Sequence, residues 1–174
     1  MRSPNRIILT TICILLAATV ALTYLNRSHI ELARAQLEKR EFILKAYGEP
    51  VAEVSLQDIL DLNPVEFSTR LATSTAAPRD VSLRGVELRL LYESLGADIS
   101  HASLFAVRGL DGYYSPLSSK EVGTADKVYV CIAMEGKLLS DKDNGGWGPF
   151  LLVIRGERFA QRWCKYVEEI DARS

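Results

Sequence analysis

"KVYVCIAMEGKLLSDKDNGGWGPFLLVIRG", Lys127 to Gly156, is the stretch on which the fold turns. Its first apolar run places Val128, Val130, Ile132 and Met134 on one face, the period-2 alternation of a strand. Glu135-Gly136-Lys137 reads as a turn, and "PFLLVIRG" as a returning strand with both faces buried. Between them lies a loop in which Gly145, Gly146 and Gly148 surround Trp147. Two readings of that loop stand side by side. Its glycines supply positive φ for a tight connection while Trp147 covers the core edge, or its backbone N–H groups form a nest for a phosphate. No Lys-Ser/Thr pair follows, so it is not a P-loop. Asp141 and Asp143 are turn residues on the first reading and an acidic pair on the second.

Working outward, the flanking segments predict short strands with few, short helices. "PVAEVSL" is a strand, and Ser55 with Asp58 three residues on marks a helix start. "VEFSTRLA" alternates Val65, Phe67, Thr69 and Leu71, and "TSTAAPRD" is loop-like. In "VSLRGVELRLLYESLG" a strand breaks at Gly85 into a helix with Leu88, Leu91 and Leu95 on one side and Gly96 as its cap. "SLFAVRGLDGYYSPL" is a hairpin through Asp111-Gly112, and "SSKEVGT" a capped helical turn. "ERFAQRWCKY" is expected to be helical and "YVEEIDA" a last edge strand. The fold class is therefore α+β, mixed and mostly β.

The other end of the chain has a different character. Ile7 to Leu25 carries no charge over 19 residues, nearly enough helix to span a hydrocarbon core of roughly 30 Å. Arg2 and Arg6 precede it, as in a signal sequence, but the apolar run is long for one and an uncleaved anchor is expected. Arg27, Arg34, Lys39 and Arg40 follow it, so a Lys/Arg count alone does not favour export; the short positive tail favours an extracytoplasmic domain. "RSHIELARAQLEKREFILKAYG" reads as a stalk helix ending at Gly48, or as an interfacial amphipathic helix. The expected organisation is an anchor or signal sequence at 1–26, a helical stalk at 27–48 and a folded domain at 49–174.

Chemistry-bearing residues are few. Net charge is −1, which offers no basic face for nucleic acid. With only His29 and His101, and no CxxC, there is little material for a zinc site or a histidine triad. Cys13 reads as part of the anchor, Cys131 and Cys164 as buried free thiols. Arg79, Arg84 and Arg108 are either an anion cluster or solvated surface groups.

The order of motifs is more specific than any one of them. "VSLRGVELRLLYESLG", "FAVRGLDGYYSPLSSKEV" and "KVYVCIAMEGKLLSDKDNGGWGPFLLVIRGERFAQRWCKYVEEID" together resemble the molybdopterin-binding domain of the sulfite oxidase family over residues 50–172. Tyr113, Met134, Gly136, Gly145, Gly146, Gly148, Pro149, Gly156, Trp163 and Lys165 fit the family's pattern, whereas Arg155 stands where proline is usual. The resemblance implies pterin contacts at Gly145, Gly146, Gly148, Gly156 and Lys165. It also implies a molybdenum-ligating cysteine near Thr73, and none occurs between Cys13 and Cys131. The "G-N-R-R" that follows the ligand is replaced by "STAAPRD".

No catalytic and no metal-binding residue is therefore assigned. Molybdopterin is admitted as a cofactor only through the resemblance, and whether the chain is an enzyme is left open. The expected function is ligand or protein binding by a membrane-anchored, extracytoplasmic domain without molybdenum catalysis. A minimal molybdopterin-dependent oxidoreductase and an adaptor subunit of an envelope or electron-transfer complex are the alternatives. The expected partners are the membrane, through residues 7–25, and a protein at the cell envelope.

Overall fold

The computed structural model describes residues 41–74 and 76–174, together with Ile12, Leu15, Leu16 and Thr19. The chain divides into two units, Met1–Glu38 and Lys39–Ser174. In the first, the four described positions are helical, and the Thr19 hydroxyl donates to the Leu15 carbonyl at 2.8 Å. The rest of the expected anchor and residues 27–40 of the expected stalk lie outside the described residues. No helix among the described residues is long and apolar enough to cross a membrane.

The second unit is built from two five-stranded sheets sharing one hydrophobic cluster. The first sheet has the order β2-β1-β10-β5-β6, with β1 Glu41–Ala46, β2 Glu49–Ser55, β5 Leu104–Gly109, β6 Tyr114–Ser118 and β10 Val167–Arg173. Among the described strands only β1 and β10 pair parallel. The second sheet runs β3-β4-β7-β8, from Val65–Leu71, Arg79–Glu87, Val128–Met134 and Lys137–Leu138, and β9 (Leu151–Ile154) also pairs with β7. Helices α1 (Leu56–Asp61), α2 (Leu88–Ser94) and α3 (Ser119–Gly123) fill the connections. Mixed, mostly β architecture is thus as the hydrophobic pattern predicts.

Local chemistry accounts for the short helices. α1 and α3 both start in a capping box, Ser55 with Asp58 and Ser118 with Glu121, which satisfies N–H groups that a one-turn helix otherwise leaves open. α2 is held by burial instead. Its Leu88, Leu91 and Tyr92 enter the core, and the Tyr92 hydroxyl donates to the Lys45 carbonyl at 2.8 Å on β1. A ring this deeply buried needs such an acceptor, and burial pushes its phenol well above the ordinary range.

Five expectations are corrected. Residues 41–46, assigned to the stalk helix, form β1. Their helix-forming composition yields to pairing on both edges, with β2 and β10, and to burial of Phe42 and Leu44. Gly48, read as a helix cap, has φ 84° in the β1–β2 turn beside Tyr47 at φ 55°. Strand β10, read as an edge, lies in the middle of its sheet. Two of its carboxylates are paired there: Glu169 sits 2.6 Å from Lys45 and 3.5 Å from Arg108, and Asp171, only 3% exposed, accepts from the Gly48 N–H and Arg173. "ERFAQRWCKY" forms one 3-10 turn, Ala160–Arg162, after which Cys164 and Leu152 exchange backbone bonds as an antiparallel bridge. Finally, β4 does not break at Gly85 but continues through it, with a register shift.

Gly85 is where the second sheet is tightest. A β-carbon there would lie 2.8 Å from the Cys131 α-carbon and against the Val130 carbonyl. A β-carbon on Gly123 would meet open space. Gly85→Ala is therefore expected to lower stability by about 1–3 kcal/mol through overpacking, and Gly123→Ala to leave it within about 0.5 kcal/mol, as read by thermal or urea unfolding. Equal midpoints for the two variants would contradict this.

Candidate functional site

β7 and β9 explain the shape of the glycine-rich loop. β8 pairs with Ala133 and Met134, while β9 begins opposite Cys131 on the same edge of β7. Residues 139–150 thus leave and return at almost one point, a closed loop packed by its own groups. Glu135 and Gly136, both at positive φ, make the preceding turn. Within the loop the Gly145, Gly146 and Gly148 N–H groups donate to the carbonyls of Lys142, Asp141 and Ser140 at 3.0, 2.8 and 2.8 Å. Those donors are spent on the loop itself, and none of the three is left to cradle an anion. The Asp141 carboxylate accepts from the Asn144 N–H at 2.9 Å, as a turn residue does. The Gly148–Pro149 peptide is cis.

Close approach also requires these glycines. A β-carbon on Gly146 would collide with the Ser140 carbonyl, and one on Gly148 would lie 2.5 Å from the Leu139 β-carbon. The tight-connection reading therefore carries all the geometry the loop shows.

Two further segments converge on the loop. One is 163–167, which runs antiparallel to β9: Tyr166 N–H donates to the Trp147 carbonyl, and the Tyr166 hydroxyl to the Gly146 carbonyl at 2.8 Å. The other is the β5–β6 turn, where the Leu110 N–H donates to the Tyr166 carbonyl at 3.0 Å and Asp111 accepts from the Tyr113 N–H. Lys165 Nζ lies 3.8 Å from the centre of the Trp147 ring, a cation–π stack, and burial lowers its pKa. Lys142 approaches the Tyr166 ring at 5.8 Å.

Of the expected ligand set, the structure brings Gly145, Gly146, Gly148 and Lys165 to one place. Gly156 is separate, at the opposite end of β9 and near Lys127, roughly 13 Å along the strand. Arg155 beside it is paired with Asp126 and stacks over Phe67 at 5.4 Å. The arginine cluster is not assembled either. Arg108 on β5 pairs with Glu169, while Arg79 and Arg84 lie on β4 of the other sheet. Tyr166 and Lys142 were not foreseen as site neighbours, whereas Asp111-Gly112 offers a ligand contact as well as a hairpin turn. Tyr166 sits at φ 53°, a conformation that no local sequence signal announces.

A second constellation, also unforeseen, fastens the 3-10 turn. Arg162 bridges Glu121 on α3 at 2.7 Å and Glu157, and Tyr113 donates its hydroxyl to the neighbouring Gln161 carbonyl. The Arg162 hydrogen bond holds the Glu121 carboxyl down at about 2.

The residues present can be tested against a thiolate-held molybdenum, the group the sequence resemblance implies. A thiolate is the required ligand form. Cys131 is fully buried in β7, and burial pushes its thiol far up; Cys164, buried beside β9, is pushed up to about 12. Both side chains are closed off inside the core. The loop near Thr73 presents no sulfur: Thr73 Oγ1 accepts from the Ala76 N–H at 3.2 Å, and Ala72 accepts from the Ala160 N–H. Among the described residues no group of three or more His, Cys, Asp or Glu is placed to hold a metal. The residues do not fit that group.

No family model matches the chain, and no curated protein does. Solved structures do. The sulfane dehydrogenase SoxCD from Paracoccus pantotrophus superposes with a TM-score of 0.63 over 79% of this chain, at 14% identity. The two share a fold. The chain spans 39% of the length of that larger protein, and at this identity the likeness is one of fold alone.

Two outcomes are expected. Gly146→Ala should loosen the loop, seen as a shifted Trp147 emission and faster proteolysis between residues 139 and 150, with the far-UV spectrum unchanged. For Glu121, the depressed carboxyl stabilises the fold above its ordinary value of 4.5, and that contribution is lost as pH falls towards about 2. Glu121→Gln should therefore flatten the stability profile between pH 4.5 and 2 relative to the parent; parallel acid-unfolding curves would contradict the assignment.

Proposed function

We propose that this chain is a membrane-anchored, extracytoplasmic domain of the sulfite oxidase molybdopterin-binding type that works by binding, without molybdenum catalysis. The observation that carries the reading is a pairing of opposites. The chain superposes on part of a sulfane dehydrogenase, and yet both of its domain cysteines are buried in the core. A fold carries no chemistry without its site. The motif order in residues 50–172 supports the family, and the uncharged run at 7–25 with its short positive tail supports the anchor.

What remains of a ligand surface is the Trp147, Lys165, Tyr166 and Tyr113 cluster. It offers aromatic faces and one partly desolvated ammonium, which suits a planar or anionic group or a partner's side chains.

The test is to express the full chain in a host that makes molybdopterin and to measure metal and pterin together. The expected preparation stays in the membrane fraction after an alkaline wash and holds molybdenum at well under a tenth of stoichiometry. Stoichiometric molybdenum with pterin fluorescence after denaturation would instead establish the minimal oxidoreductase. Recovery of the intact chain from the soluble fraction would remove the anchor.

A further inference from the structure

Beside the edge strand β2, and at the opposite edge of the first sheet from the β5–β6 turn, a groove of about 440 Å³ runs between α1 and α2. Its floor is apolar, from Val54, Leu62 and Leu91. The stripe of α2 that sends Leu88 and Leu91 into the core continues to Leu95, which emerges into the groove with 41% of its surface exposed. A stripe at i, i+4 that runs off the core in this way leaves apolar surface for something else to cover.

The groove has one sign of charge. Glu53, Asp58 and Asp61 line it, and none of them belongs to an ion pair among the described residues. Asp58 accepts the Ser55 N–H and hydroxyl in its capping box, and Asp61 accepts from Gln57 at 2.6 Å. Those bonds hold the two carboxylates in place without neutralising them, and the Ser55 bonds keep the Asp58 carboxyl below its ordinary range.

We propose that this groove docks a basic, leucine-bearing segment of a partner polypeptide. Leucine side chains of the segment cover Leu62 and Leu95, while its Lys or Arg groups meet Glu53, Asp58 and Asp61. The charge complementarity selects the occupant. An anionic lipid surface or nucleic acid is repelled by three carboxylates, and a small anion gains nothing from them. An apolar seam flanked by charge is the pattern of an amphipathic segment laid in a groove. The groove shares no residue with the loop cluster around Trp147, so the inference stands whether or not the chain binds a cofactor.

The full chain in zwitterionic nanodiscs, with empty nanodiscs as the blank, is titrated into a fluorescent Leu/Lys peptide carrying leucines at i, i+4 and i+7, and anisotropy is read. Binding is expected to weaken about tenfold between about 0.05 and 0.5 M NaCl, since the ion pairs are solvent-facing. Leu95→Ser and Asp61→Lys, each shown folded by circular dichroism and an unchanged unfolding midpoint, are each expected to weaken it at least about tenfold, near 1.4 kcal/mol. A peptide with serine for leucine is expected to fail as well. Unchanged affinity in both variants overturns the proposal, as does equal binding of the leucine-free peptide. Self-association lost in Leu95→Ser would assign the groove to a second copy, and binding of anionic vesicles would assign it to lipid; either result overturns the proposal.

Discussion

Everything in the second sheet depends on how closely β4 and β7 approach at Gly85. The missing side chain there lets the Val130 and Cys131 backbone lie against β4, and the pairing register shifts at the same point. β7 can then be buried on both faces from Val128 to Ala133 and still pair on both edges. With β7 so enclosed, β8 and β9 have one remaining edge to share, and residues 139–150 must close on themselves to reach it. The glycines of that loop follow from this demand. They are consequences of a crowded strand before they are anything else.

The elements with their own local signal were legible in the sequence. The capping boxes at Ser55 and Ser118, the alternation of β3, and the Asp111-Gly112 hairpin all rest on interactions a few residues apart. What failed to show was what distant segments impose. "EFILKA" has the composition of a helix and becomes a strand because β2 and β10 flank it. "VEEIDAR" is polar enough for an edge, and only the positions of Lys45, Arg108 and the Gly48 amide make it tolerable in the centre. Gly85 reads as a breaker until the Val130 carbonyl is placed against it.

The candidate site divides the same way. Lys165 and the glycine triplet could be found by motif, and the structure does bring them together. Tyr166, Asp111 and Lys142 join them through backbone bonds across residues 109–113, 139–150 and 163–167, which no spacing encodes. Gly156 matched the motif and still falls at the other end of β9, because the short strand between it and the loop is fully extended. Both cysteines of the folded unit, Cys131 and Cys164, are packed into the core with its apolar side chains.

The parallel pairing of β1 with β10 joins Ile43–Ala46 to Glu169–Ala172, the first strand to the last. During synthesis the first sheet therefore lacks its middle until the final strand has emerged, and β1–β2 waits as a lone hairpin, marginal in water. Such long-range closure is slow, since the intervening loop must be ordered before the pairing rewards it. Removing β10 is therefore a failure of assembly for the whole first sheet rather than a local trim.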